Sequence, residues 1–173
     1  MKAVDAKLQS EILGQVDLAR LRRVCELMTA IGIVLMALPC ALAWVLPQAG
    51  PTWRDEAPSL DWLFNLLLLG QLALFSLSFG VKLYWAWISR RPSAAVDPAI
   101  WGRAIHRLWL LRFALLQGVC LLGALAFYMA YKNGFLTESI HVWLMGLLPL
   151  LSLAWMLPHW PDADTLRKAF FHS

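Results

Sequence analysis

Residues 112–135 read RFALLQGVCLLGALAFYMAYKNGF. Between Arg112 and Lys132 no residue carries a charge, and the one strongly polar side chain is Gln117. About 20 consecutive, mostly apolar residues suffice for a helix to cross the hydrocarbon of a bilayer, so this stretch reads as a membrane span. Helices that carry protons or ions place an ionisable group at such a depth. Here an amide stands instead, and an amide is not reversibly protonated near neutral pH.

The rest of the chain agrees with that reading. It is 60% hydrophobic and 15% charged over 173 residues, with a mean hydropathy of +0.61. A soluble domain is closer to 45–50% apolar and about 25% charged. Ten tryptophans point the same way, because Trp collects at membrane–water interfaces. Four stretches qualify as spans: 24–46, 62–88, 108–131 and 138–158. The fold class expected is an all-α integral membrane protein whose four transmembrane helices form two helical hairpins. Ala41-Leu42-Ala43 resembles a signal-peptide cleavage site, but its leader is long and three spans follow, so the first span is read as retained. Pro39 spoils a lipobox at Cys40. Three cysteines without a CxxC pair offer neither a disulfide framework nor a zinc site.

Basic residues set the orientation. Lys2, Lys7, Arg20, Arg22 and Arg23 precede the first span, and Arg90, Arg91, Arg103 and Arg107 lie between spans two and three, with Lys82 and Arg112 just inside the flanking helices. Arg167 and Lys168 are in the tail, which leaves only Arg54 and Lys132 on the other face. Both termini are therefore expected in the cytoplasm. The net charge of +4 reflects this topology, and its residues hug helix ends, so no nucleic-acid partner is expected. Three parts follow: a cytoplasmic arm (1–23), a four-helix transmembrane domain (24–158) and a cytoplasmic tail (159–173). In the arm, Val4, Leu8, Ile12 and Val16 recur every four residues, the pattern of an amphipathic helix weakened by Gly14. It can lie on the cytoplasmic leaflet or dock a partner helix. Asp97-Pro98 is a good start for the third helix, Asp162 or Asp164 can cap a short helix in the tail, and Asn133-Gly134 suits the turn between the last two spans.

Few side chains could carry chemistry. Glu26, Lys82 and Arg112 all fall within roughly 10 Å of the cytoplasmic edge, at 1.5 Å per residue. The two bases can snorkel, or, more sharply, a Glu26–Lys82 or Glu26–Arg112 pair can fix how the hairpins pack; a transport role is the remaining alternative. At mid-depth only uncharged groups remain, chiefly Gln71 and Gln117. Antiparallel neighbours would bring these two amides to similar depth, where they can bond each other as interhelical polar glue or offer donors to a lipid quinone or solute. Ala114 and Gly118 form a small-x-x-x-small ridge for helix packing. No haem ligand pair, phosphate loop, nucleophile elbow or HExxH motif is present, and the aqueous loops are too short for a catalytic domain.

ALLQGVCLLGALAFYMAYKNGF (114–135) resembles the outer helix of the rotor-ring proteolipid, subunit c, of rotary ATP synthases, with Ala114, Gln117, Gly118 and Gly123 at matching places. The resemblance covers about 20 residues and implies a related hairpin packing. Gln117 stands where that family carries its ion-binding acid, so proton translocation is not implied. The expectation is a non-enzymatic accessory or scaffold subunit of a larger membrane complex, in a bacterial inner membrane, multi-pass, with no cofactor and no metal. Its partners would be membrane lipids and other membrane subunits or a second copy. The surfaces expected to act are the arm (Leu8, Ile12, Val16) and the ridge (Ala114, Gly118). The alternatives are a homo-oligomeric transporter or channel subunit and a lipid- or quinone-binding subunit of an electron-transfer assembly.

Overall fold

A computed structural model of the 173-residue chain describes residues 6–45, 58–89, 97–132, 140–157 and 159–171. Six α-helices follow one another among them: α1 (Ala6–Gly14), α2 (Leu18–Val45), α3 (Pro58–Ser89), α4 (Pro98–Lys132), α5 (Ile140–Met156) and α6 (Ala163–Phe171). The described residues contain no strand. Two helices are long and apolar enough to cross a membrane, α3 over Trp62–Trp85 and α4 over Pro98–Lys132, and α5 carries a shorter apolar run, Leu144–Met156. The Asn133-Gly134 turn lies outside the described residues, as does the side chain of Lys82.

Three helices begin on an aspartate, whose carboxylate accepts from backbone N–H groups that the first turn leaves unpaired. Arg20 N–H donates to Asp17 at 3.0 Å, Ala99 N–H to Asp97 at 2.8 Å and Thr165 N–H to Asp162 at 2.6 Å. The Asp97-Pro98 start is as the sequence predicts, and of the two candidates in the tail it is Asp162 that caps α6. The single helix expected over residues 1–23 is instead two. Past Gly14 the bonds tighten, with Gln15 N–H donating to Ile12 O and Val16 N–H to Leu13 O, both at 3.1 Å. Asp17 then starts α2, which runs unbroken through Arg22 and Arg23 into the apolar stretch.

The long helices pack as a rhombus. α4 lies against α2, α3 and α5, while α5 also touches α2 and α3; among the described residues α2 and α3 make no substantial contact with each other. Of the two hairpins expected, α4 and α5 pack against each other as the second would, whereas α2 and α3 do not pack as the first would. The cause is the relief of α4. A Cβ at Gly118 would lie 2.9 Å from Leu74 Cδ1 of α3, and one at Gly123 would clash with Pro149 of α5. Gly32 of α2 opens a slot that Gln117, Cys120 and Leu153 fill. Each neighbour thus meets α4 or α5 where one side lacks a side chain, and close approach at small residues is what drives association of such helices.

Adjacent in sequence, Gln117 faces α2 and Gly118 faces α3. The residues between those directions on the helical wheel look outward: Ala114 is exposed, and Leu121, Leu125 and Tyr128 are more than two-fifths exposed. Only half of the expected small-residue ridge is therefore used within the chain. Gly118 packs on α3, and Ala114 faces out between α2 and α3.

At one end of the rhombus α1, the first turns of α4 and α6 form a cap. Gly102 makes it possible: a Cβ there would lie 2.7 Å from Gln15 Cβ and 2.9 Å from the Ile12 carbonyl. Ile12, Leu13 and Val16 are buried, and Leu8 packs on the same core. The apolar face expected to serve as a free arm is thus covered by the chain's own α4 and α6, and Leu8, Ile12 and Val16 present no open docking surface. From the other side Leu166 and Phe170 of α6 are buried. Trp85 of α3 ties this helix down, its indole N–H donating to the Phe170 carbonyl at 2.7 Å with its ring edge-on to Phe170 and Trp101, both at 5.0 Å.

Candidate functional site

Just below the cap, α4 places Arg112 in the interior, 3% exposed. Its guanidinium carbon lies 3.6 Å from the Trp155 ring of α5 and 5.6 Å from the Phe79 ring of α3. Trp155 belongs to a continuous aromatic shell, at 6.4 Å from Trp109 and 6.2 Å from Phe113 on α4. It is also stacked on His159 at 4.3 Å. His159 Nδ1 is 2.7 Å from the Trp155 carbonyl; a carbonyl only accepts, so Nδ1 carries the proton and donates.

The expected Glu26–Arg112 pair is not made. Glu26 accepts from Arg22 Nε at 2.8 Å, one turn back on its own helix. Arg112 has no carboxylate partner among the described residues, and its Nε is sealed from solvent without an acceptor. The rings supply no oxygen to the N–H donors, which lie in the guanidinium plane, and Nε remains without an acceptor. A cation–π contact with a desolvated Trp contributes about 2 kcal/mol or more. Burying an unpaired ion costs several kcal/mol. The rings therefore offset part of the cost and leave a demand for an acceptor in the guanidinium plane.

The two amides singled out by the sequence are not brought together. Gln117 turns to α2, where its amide nitrogen donates to the Met28 carbonyl at 2.8 Å and its oxygen accepts from Gly32 N–H at 3.3 Å. Residues 28 and 32 are themselves i, i+4 partners in a helix, so the amide lies alongside one peptide hydrogen bond and adds a second partner to each end. This answers the question that the span raises. The docking point needs a donor and an acceptor side by side, and an ionised carboxylate would set two acceptor oxygens against the Met28 carbonyl.

Gln71 of α3 is fully buried, with neither end of its amide bonded. It lies beside Gly123, where a Cβ would be 3.3 Å from its nitrogen. Pro149 packs into the same spot and, having no N–H, leaves the Met145 carbonyl of α5 without its helical donor. Cys120 Sγ–H reaches the Pro149 carbonyl at 3.9 Å. Other buried hydroxyls bond within their own helices: Thr29 to the Cys25 carbonyl at 2.8 Å, Ser78 to Phe75 at 2.6 Å and Ser152 to Leu148 at 2.9 Å.

Sequence reasoning missed Trp155, Phe79 and Gly32. The abundance of Trp was visible, but not which ring would cover Arg112, since that depends on how α4 and α5 meet. Among the described residues no three His, Cys, Asp or Glu side chains converge to hold a metal ion. No known protein family, curated protein or solved structure matches the chain.

Proposed function

We propose that the chain is a non-catalytic, multi-pass membrane protein. In this reading α2 to α5 cross a bacterial inner membrane with both termini in the cytoplasm, and the bundle acts as an accessory or scaffold subunit of a larger complex. The observation that carries the membrane part is the inverted polarity of the rhombus. Its outer faces are aliphatic, with Leu27, Ile31, Val34 and Leu38 on α2, Leu66, Leu69 and Leu77 on α3, and Leu147, Leu150 and Leu151 on α5 all 45% exposed or more. Gln71, Ser78, Ser152 and Thr29 are buried between them. Contiguous apolar surface of this extent suits lipid or a partner and is foreign to a water-soluble monomer. The arginines gather at the capped end, as the positive-inside rule asks of a cytoplasmic face.

The scaffold part is supported by the outward arc of α4, where Ala114 offers a place for another helix to approach closely. The test is affinity purification from native membranes with the wild-type chain and with Ala114→Trp. Loss of a co-purifying membrane subunit, with the chain still resistant to carbonate extraction, is the expected result. Ion flux through the purified chain in liposomes, abolished by Gln117→Leu, would overturn the scaffold reading. A second reading, lipid-quinone binding, draws on Gln71, whose amide holds an unspent donor and acceptor at mid-depth. A quinone retained in native mass spectrometry, and lost in Gln71→Leu, would establish it.

A further inference from the structure

We propose that Arg112 is a binding site for a phosphate group, supplied by the headgroup of an acidic phospholipid or by free phosphate, reached between α3 and α5 at Phe79. The inference rests on the membrane reading given above and on four observations. First, Arg112 is buried at 3% exposure with no carboxylate partner among the described residues, and the acidic partner expected from the sequence, Glu26, is engaged by Arg22. Second, Trp155 and Phe79 lie 3.6 and 5.6 Å from the guanidinium carbon, and neither ring supplies an oxygen to its N–H edge. That edge is the fork that matches two oxygens of a phosphate or carboxylate. Third, Nε, one of the donors on that edge, has no acceptor, and a buried donor in a native structure is nearly always satisfied.

The fourth observation is depth. Side chains on a helix lean toward its N-terminus, so Arg112 leans toward the capped end, where exposed Arg103 and Arg107 mark the same helix. A long basic side chain one or two turns inside a span reaches the headgroup level in this way. Phe79, 5.6 Å from the guanidinium carbon, is itself 45% exposed and edge-on to Phe75 at 5.2 Å. In this proposal the phosphate reaches the N–H edge past that exposed ring. A partner protein's carboxylate would satisfy the same fork, but the approach past an exposed ring on the lipid-facing side of α3 favours a lipid headgroup.

The experiment compares wild type, Arg112→Gln, Arg112→Lys and Arg107→Gln in nanodiscs of phosphatidylcholine alone or with phosphatidylglycerol. It reads lipid retained in native mass spectrometry and the thermal unfolding midpoint. Wild type and Arg107→Gln are expected to retain phosphatidylglycerol and to unfold at a higher temperature in its presence. Arg112→Gln is expected to lose about tenfold in retention, the scale of one charge-assisted bidentate contact, with Arg112→Lys between. A phosphatidylcholine arm with added inorganic phosphate separates the sources: protection there, lost in Arg112→Gln, assigns the site to free phosphate. Equal retention and equal midpoints in wild type and Arg112→Gln would overturn the proposal, as would an equal loss in Arg107→Gln, which would mark diffuse surface charge. If the membrane reading itself failed, the chain would not enter the discs, a result distinct from all of these. Should Arg112→Gln not fold, Phe79→Trp, which narrows the approach and leaves the charge, is expected to lower retention on its own; unchanged retention counts against the site.

Discussion

The amide of Gln117 on α4 docks on the backbone hydrogen bond that joins the Met28 carbonyl to the Gly32 N–H within α2, 2.8 Å from the carbonyl and 3.3 Å from the N–H. One polar side chain thus fixes how the first long helix is rotated against the hub. Because the two α2 groups also bond each other, losing the amide leaves nothing orphaned. Gln117→Leu is therefore expected to cost only about 1 kcal/mol. Gln117→Glu is expected to cost more at neutral pH, where the carboxylate faces the Met28 carbonyl, and to recover as the pH falls and the acid regains a donor. Equilibrium unfolding in detergent at two pH values checks both, and equal costs for the two variants would refute the docking geometry.

Gly102 lets α1 touch the backbone of α4, with no room for a Cβ beside the Ile12 carbonyl. Gly102→Leu should destabilise the cap by about 1–3 kcal/mol, the usual cost of overpacking. Hydrogen exchange should accelerate at Ile12, Leu13 and Val16 and stay unchanged in the middle of α3. Unaltered exchange in α1 would show that the cap is held some other way.

Trp85 anchors α6 through both its ring and its indole N–H. Trp85→Phe keeps most of the ring contact and removes the donor to the Phe170 carbonyl. A loss of about 1 kcal/mol is expected, read as faster exchange in α6 with α5 unaffected. Trp85→Ala should release the helix altogether, and a retained α6 in that variant would count against the anchor.

Asp162 carries a pH dependence. The Thr165 backbone N–H, and then its hydroxyl, hold the Asp162 carboxyl below its ordinary 3.8. A depressed carboxyl binds its proton more weakly folded than unfolded, so its contribution is complete above the unfolded value and is lost as the pH falls through the folded one. Docking of α6 should weaken in acid below about pH 4. Asp162→Asn, which caps without titrating, should flatten that dependence. Tryptophan fluorescence follows it, because Trp85 and Trp109 both contact Phe170 of α6.

The individual helices were legible in the sequence, and the assembly was not. Asp97-Pro98 and the pair Asp162 and Asp164 announce their helices because capping is local chemistry, though only the structure picks Asp162, and the apolar runs of α3 and α4 are unmistakable. The break after Gly14 was visible only as a weakness, since whether a glycine ends a helix depends on what the following residues can bury. The partners of Arg112 and Gln117 were hidden for a different reason. Charge and depth suggested Glu26 for the one and Gln71 for the other, but which side chains meet is decided by bare backbone at Gly32, Gly118 and Gly123. Those glycines put α4 in the middle and separate α2 from α3. The arm was misread on the same account: its apolar face is real, and Gly102 gives it a home inside the chain.

The rhombus also has a consequence for biosynthesis. α2 and α3 are the first long helices to leave the ribosome and have almost nothing to say to each other; their lasting contacts wait for α4, α5 and, for Trp85, α6. A chain released after Ser89 would be two strangers adrift, ready prey for quality-control proteases, and the whole becomes self-supporting only when its third long helix arrives.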